Sequence, residues 1–324
     1  MRAAYIERLG GAEEIRVGEV QRPEPAAGQV LVRVAATVVN PVDTFVRSGR
    51  YATPLPGFPF VVGRDLVGQV AAVGAATTGF SVGDRVWCAS LGHDGRQGAA
   101  AEYAVVDAAR LYPLPDGVDP VPTVAALHPT LTAWLGLQVH AGGVGPGDTV
   151  VVQGGAGNVG SAVTEVASAS GARVVALARA GDAEWCRARG ADAVIDFRSD
   201  DLGARISEQV AGRVTTWFDT SGVPAATAAA QVLAPRGHLI VIAGREDQIV
   251  LPLWRFYTRS LRLVGFVIST ATTGELARAA DAVNALLADR KLTPRVAEVR
   301  QLEQTADAHR LVEEGIHGRV VLTV

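Results

Sequence analysis

The chain has 324 residues, of which 48% are hydrophobic and 19% charged, enough length and apolar content for two domains with a large buried core. A formal net charge of −3 offers no electrostatic attraction to nucleic acid or an anionic membrane. Two cysteines, Cys88 and Cys186, exclude a disulfide framework and a four-cysteine zinc lobe. The opening MRAAYIERLG has no apolar signal core and no apolar run is long enough to cross a bilayer, so a cytoplasmic protein is expected.

Residues 1 to about 120 read as mostly strand. Residues 29–36, QVLVRVAA, alternate apolar and polar as a half-buried strand does. Residues 60–73 form a second dense apolar stretch, residues 79–86 a glycine turn entering another strand, and residues 102–106 a further short strand. Many short strands with Gly and Pro turns suggest a small irregular barrel. Between the first two strands, Pro41 and Gly49 bracket one short helix. Asp43 and Arg47 stand at i, i+4 on it, which reads as a solvated surface pair worth a few tenths of a kcal/mol.

Residues 149–171, TVVVQGGAGNVGSAVTEVASASG, carry the strongest signal. A β-branched run turns on Gly154, Gly155, Gly157 and Gly160, and helical apolar spacing follows from Ser161. Strand, glycine turn and helix are the context in which G-x-G-x-x-G means dinucleotide binding. The glycines allow the tight turn, the approach of a pyrophosphate and close helix–strand packing, and the helix start offers N–H groups to phosphate. Gly155, Gly157, Asn158, Val159 and Gly160 are therefore candidate cofactor contacts. Asn158 either touches the pyrophosphate or tolerates an unusual backbone angle.

After Gly171, strands at 174–178, 193–196, 215–219, 239–243 and 261–268 alternate with helices at 183–189, 202–210 and 225–233. This is the pattern of a parallel sheet covered on both faces, a doubly wound Rossmann-type α/β domain. A helix at 274–288, a strand at 295–299, a helix at 302–314 and a strand at 319–324 follow. The last strand has no sheet nearby, so the C-terminal segment is expected to return to the first domain. The division is then 1–122 with 269–324, and 123–268. In such folds an acidic residue after the second strand selects NAD. Here Arg179 stands there, and a guanidinium suits a 2′-phosphate. Arg198, after the third strand, is a second candidate on that rim, with Asp182 close by. The expected cofactor is NADPH.

At this point the chain resembles the medium-chain dehydrogenase/reductase superfamily, and within it the zeta-crystallin-like quinone oxidoreductases, over essentially its whole length. The matching runs are Asn40-Pro41-Val42-Asp43, Arg47 to Tyr51, Gly83 to Val86, Ala101-Glu102-Tyr103, Thr132-Ala133-Trp134, Gly154 to Gly160, Phe218 to Gly222 and His317-Gly318-Arg319. The resemblance implies a GroES-like barrel domain beside the Rossmann domain. It places Asn40 and Tyr51 at the cleft beside the nicotinamide, Asn40 as a donor to a developing oxyanion and Tyr51 as an orienting group or proton donor. Asp43 and Arg47 would hold their helix, and Phe45 replaces a tyrosine of some relatives. Thr132, Ala243, Gly244 and the segment Phe266 to Ile268 would line the cofactor groove, with Arg319 also on the cofactor side.

Zinc enzymes of the superfamily use an early Cys and a G-H-E segment, where this chain has Asn40 and Gly63-Arg64-Asp65. His93, His128 and His140 have no ligand-like partner at short spacing, so no metal is expected. Without a Lewis acid the hydride acceptor must already be electrophilic, a quinone or an α,β-unsaturated carbonyl. One rival is an enoyl-thioester reductase, with Arg47, Arg50 and Arg64 meeting carrier or CoA phosphates. Another, of a different class, is a non-catalytic nucleotide- or RNA-binding crystallin-like protein, which the charge disfavours. Cys88 reads as a buried structural thiol, and Cys186 as a thiol on an arginine-rich helix. The apolar edge strand at 261–268 needs covering, and the resemblance implies a homodimer.

Overall fold

The computed structural model describes residues 1–210, 213–244 and 248–324. The first elements are β1 (Arg2–Ile6), β2 (Arg16–Glu19), β3 (Gln29–Val39), α1 (Pro41–Ser48), β4 (Phe60–Val61), β5 (Asp65–Val73), β6 (Arg85–Cys88), β7 (Tyr103–Asp107), β8 (Tyr112–Pro113) and α2 (Pro120–Trp134). Then come β9 (Thr149–Gln153), α3 (Asn158–Ala169), β10 (Arg173–Ala178), α4 (Ala183–Arg187), β11 (Ala193–Asp196), α5 (Leu202–Gln209), β12 (Val214–Asp219), α6 (Ala226–Val232), β13 (Leu233–Val241), α7 (Leu253–Thr258) and β14 (Arg262–Gly265). The last are α8 (Thr273–Ala288), β15 (Val296–Gln301), α9 (Thr305–Glu313) and β16 (Arg319–Thr323). Contacts divide the chain into unit 1, Met1–His128 with Thr272–Val324, and unit 2, Pro129–Ala271.

Unit 1 is built around β3, whose valine-rich sequence is buried along most of its length. It pairs antiparallel with β5, β7 and β16. Irregularities in its register with β5, at Leu31/Val32 and Val34/Ala36, bend the sheet, as bulges do. Val30, Val32, Val34, Leu66, Val86 and Val106 fill the core beneath it. β16 lies between β15, its parallel neighbour, and β3. A second small sheet runs β2-β1-β4. The apolar stretch 60–73 is two strands rather than one, broken at residues 62–64.

Unit 2 holds one parallel sheet in the order β11-β10-β9-β12-β13-β14. The order reverses direction between β9 and β12, the switch point at which such sheets bind ligands beyond their strand ends. Val151, Val175, Leu177, Trp217 and Leu239 lie in the core on one face. Helices cover the strands, which is why they read as nearly continuous apolar runs. Two expectations need adjustment. The last strand spans only Arg262–Gly265, and β13 starts at Leu233, inside the segment read as helix. Helix α2 has no sequence forecast at all. Its apolar residues are spread around the whole circumference and Pro129 sits inside it, so neither periodicity nor breaker rules detect it. It continues into a π-helical turn, Leu135–His140, closed by an N–H of Ala141 on the Gly136 carbonyl at 2.8 Å.

Candidate active site

In unit 2 the fully buried strand β9 delivers the chain into the glycine turn. Gly154 adopts φ +81°, a conformation glycine reaches without strain. The N–H groups of Gly154 and Gly155 bond the Leu177 carbonyl at 3.2 and 3.0 Å, fastening the turn to β10. Gly160 faces the turn from the first turn of α3, where a Cβ would lie 2.1 Å from the Gly154 carbonyl oxygen. The N–H groups of Asn158, Val159 and Gly160 precede the first intrahelical bond, which Ser161 makes to the Gly157 carbonyl at 2.8 Å. A helix start of this kind can receive an anion. Asn158 opens α3 and has no positive φ, so the unusual backbone angle considered for it does not occur.

Three side chains given no role from sequence hold the neighbouring strand ends. The Gln153 amide donates to the Val223 carbonyl at 2.8 Å, and its Oε1 accepts from Trp217 Nε1 at 3.0 Å. Buried Asp219 accepts from Ser221 Oγ at 2.6 Å and from the Gly222 N–H at 3.1 Å, while burial pushes its carboxyl pKa upward. Thr220 Oγ1 bonds the Gln153 carbonyl at 2.9 Å beside Gly154. In the sequence this girdle shows only as the run Phe218 to Gly222, to which no local rule assigns a role.

Arg179 follows β10 and is exposed. Arg198 is also exposed, but its guanidinium is held by both oxygens of Asp196, at 3.0 and 2.8 Å. That pair lowers the Asp196 carboxyl pKa and leaves Arg179 the better candidate for a 2′-phosphate. Thr132 and Ile268 are buried. The Phe266 ring stacks on His140 at 4.2 Å and meets Phe218 edge-on at 6.5 Å. Exposed Ala243 and Gly244 line a cavity of about 650 Å³ with Gly222, Val223 and Leu263. The glycine turn is not part of that lining.

Unit 1 gathers a buried polar cluster at the start of α1. Asn40 has no exposed surface. Its Nδ2 donates to Asp65 Oδ2 at 2.9 Å and Asp43 Oδ2 at 3.2 Å, and its Oδ1 accepts from Arg319 Nη2 at 2.5 Å. The donor-only guanidinium and the two carboxylates fix the amide's orientation. Both Nδ2 hydrogens are therefore committed, and Asn40 does not present one to an oxyanion. Arg319 is corrected likewise, being a buried partner of Asn40 within unit 1 rather than a cofactor contact. Burial lowers the Arg319 pKa against the opposing pull of Asp65 and Asp43, and raises that of Asp43 against the pull of Arg64. Arg64 Nε lies 3.6 Å from Asp43 Oδ1, and His128 Nδ1 lies 3.7 Å from Asp65 Oδ1.

The surface pair expected on α1 is absent. Asp43 accepts the Asn40 N–H at 2.9 Å, and buried Arg47 reaches the Gly10 carbonyl, His309 and Glu313. Arg47 and Arg64 are both buried, so neither offers a surface charge to CoA phosphates. Arg50 alone of that trio is exposed, over the Phe45 ring at 4.8 Å. Tyr51 is half-buried against the Ile6–Phe60 apolar cluster. Cys88 is buried with Sγ 3.5 Å from Ser90 Oγ, and burial raises its thiol pKa. Cys186 is buried too. His93 is fixed between the Leu91 carbonyl and Arg96, its pKa lowered by burial to about 3.

Among the described residues no three His, Cys, Asp or Glu side chains converge as a metal site. Where zinc relatives carry ligands, this chain has the Asn40 amide bonded to the Asp65 carboxylate, and the Arg64 guanidinium 3.6 Å from Asp43. Zinc prefers thiolate, imidazole and carboxylate donors, and a cation beside Arg64 would be repelled, so these residues do not fit the metal.

Comparison with known proteins extends along both units. The alcohol dehydrogenase GroES-like domain family matches residues 26–116, and the zinc-binding dehydrogenase family matches residues 158–285. Quinone oxidoreductase of Homo sapiens is 30% identical over 323 residues, 98% of this chain and 94% of that protein. A solved mycobacterial structure complexed with NADPH is 32% identical, with a TM-score of 0.83 and full coverage of both chains. An NAD-dependent alcohol dehydrogenase structure is 29% identical, with a TM-score of 0.89 and the same coverage. Similarity sustained over the full length makes the chain a member of the quinone oxidoreductase branch of the medium-chain dehydrogenase/reductase superfamily, and so an oxidoreductase.

Proposed function

We propose that the protein uses NADPH to reduce a quinone or an α,β-unsaturated carbonyl, without a metal. The observation that carries this reading is the glycine turn closed against α3 and followed, one strand later, by exposed Arg179. The N–H groups of Asn158 to Gly160 would receive the pyrophosphate, and Arg179 the 2′-phosphate. Ala243 and Gly244, at the exit of β13, leave backbone space for the nicotinamide half. Bound NADPH supplies hydride from its nicotinamide ring. The residues of the chain supply position rather than a Lewis acid, which restricts the acceptor to groups that are already electrophilic. Tyr51 is the unit 1 side chain assigned to orienting the acceptor.

Function as a homodimer belongs to the same proposal. Among the described residues β14 pairs with β13 alone and closes one edge of the unit 2 sheet. On and near it Leu263 is 39% exposed, Leu253 69%, Trp254 71% and Tyr257 64%. An open strand edge flanked by large apolar side chains is suited to a second copy across a two-fold axis.

The test is NADPH and NADH consumption with a benzoquinone, a small enone, a simple ketone and an enoyl-CoA. Turnover of the first two with NADPH is expected. Turnover of the ketone alone would refute the metal-free mechanism, and turnover of the enoyl-CoA alone would move the assignment to thioester reduction.

A further inference from the structure

Within unit 2, helix α4 reaches the glycine turn through a relay for which the reading above has no use. The indole Nε1 of half-buried Trp185 donates to Ser161 Oγ at 2.9 Å. Ser161, buried near the start of α3, donates its hydroxyl in turn to the Gly155 carbonyl at 3.3 Å. A hydroxyl that accepts from one group and donates to another has its rotor fixed. The indole is braced as well. The Arg189 guanidinium covers its ring, 3.0 Å from the centre, and Arg189 Nη1 bonds the Trp185 carbonyl at 3.1 Å. Arg189 Nε lies 3.6 Å from Glu165 Oε1 on α3. A cation on the ring face holds the indole where its N–H meets Ser161. The consequence falls on the peptide group that follows Gly155. A trans peptide is planar, with C=O and N–H on opposite sides, so a Gly155 carbonyl drawn towards Ser161 turns the Ala156 N–H the other way. The N–H groups of Gly154 and Gly155 are bonded to the Leu177 carbonyl, and that of Gly157 to the Gly154 carbonyl. Among the described residues the N–H of half-buried Ala156 has no acceptor. A fixed, unspent amide N–H in such a turn is a donor to an anion.

We infer that Trp185, acting through Ser161, is a positioning residue that fixes the Ala156 N–H as a donor to the cofactor pyrophosphate, a role that rests on the NADPH reading above. Without the indole N–H, the Ser161 hydroxyl turns freely and the peptide between Gly155 and Ala156 is no longer held. The turn is then ordered only at binding, and affinity falls by the cost of that ordering. NADPH and NADH both carry the pyrophosphate, so the relay acts on the two alike. Arg179, by contrast, acts on the 2′-phosphate alone, and this difference separates the relay from the choice of nucleotide.

The experiment compares the full chain with W185F, S161A and the double variant, measuring NADPH and NADH affinity by nucleotide fluorescence. Thermal unfolding is followed alongside, and kcat is taken with an enone at saturating NADPH. W185F keeps an aromatic ring beneath Arg189 and removes only the N–H donor. Each single variant should raise both Kd values about 3- to 10-fold, with kcat as in the wild type. The double variant should lose no more than the larger single effect, because one relay cannot be broken twice. Additive losses, a loss confined to NADPH, or unchanged Kd values overturn the relay and leave the NADPH reading standing. If neither variant folds, the indole N–H signals of the wild type decide by NMR. The signal with through-space contacts to the Ser161 protons must shift with NADP⁺ and not with 2′-AMP, which lacks the pyrophosphate. A signal that ignores NADP⁺, or moves as far with 2′-AMP, overturns the relay. A wild-type protein that binds neither NADPH nor NADH overturns the cofactor reading and the relay with it.

Discussion

Adding one methyl group at Gly160 tests the cofactor cradle most sharply. In G160A the new Cβ would lie 2.1 Å from the Gly154 carbonyl oxygen, 2.7 Å from its carbon and 2.9 Å from Gly155 Cα, where real Cβ contacts essentially never fall below 3.0 Å. Relief demands a separation of about 1 Å between the glycine turn and α3. The helix is anchored by buried Ala162, Val163, Val166 and Ala167, so the turn yields rather than the helix. Overpacking of this kind costs about 1–3 kcal/mol. If that strain is expressed as a turn opened away from its phosphate-binding shape, the Kd for NADPH rises about 5- to 150-fold. Titration of nucleotide fluorescence, with thermal unfolding alongside, measures both quantities. Gly181 is the matched control, since a Cβ there meets nothing within 4 Å, and G181A should bind as the wild type does. A G160A protein with wild-type Kd and wild-type Tm would refute the idea that this contact shapes the binding site.

Three further outcomes are expected. R179A should raise the KM for NADPH about tenfold or more through loss of charge-assisted hydrogen bonds, while the KM for NADH moves little; equal effects would remove Arg179 from the 2′-phosphate. His309 accepts a hydrogen bond from Arg47 Nη1 at 3.4 Å, and burial lowers its pKa to about 3. In the unfolded chain it titrates near 6.5, so between these values the unfolded state binds the extra proton. This contribution is complete above about pH 6.5 and is lost as pH falls towards 3, at about 1.4 kcal/mol per pH unit. Urea midpoints of H309Q should therefore fall less steeply than wild type between about pH 6 and 4, and parallel curves would contradict the assignment. Sedimentation should give a dimer for the wild type and a monomer for the double variant W254E/L263K, and a monomeric wild type would count against the edge-strand interface.

Elements with a strict period were legible in the sequence, and so was the glycine turn, because strand, turn and helix each have a local physical cause. Helix α2 was not, since a helix apolar around most of its circumference has no stripe to read. The α1 cluster was misread for a related reason. Asp43 and Arg47 at i, i+4 look like a surface pair, but their partners Arg64, His309, Glu313 and Gly10 lie far along the chain, where no spacing rule reaches. Asn40 and Arg319 stand 279 positions apart and form one hydrogen bond, which no local pattern announces. The Asp65–His128 contact is hidden similarly, its two residues lying far apart along the chain.

The pairing of β3 with β16 also has a consequence in time. β3 ends at Val39 and β16 begins at Arg319, so at 5–20 residues per second synthesis separates them by about 14–56 s. Throughout that interval the Ala36–Val39 end of β3 lacks its partner on one side, while β7 already covers Gln29–Arg33. Every strand of unit 2, from β9 to β14, is made within the gap. The nascent chain must therefore carry an open apolar edge while a whole sheet is completed downstream, and that edge is where slow or interrupted translation would begin to aggregate the protein.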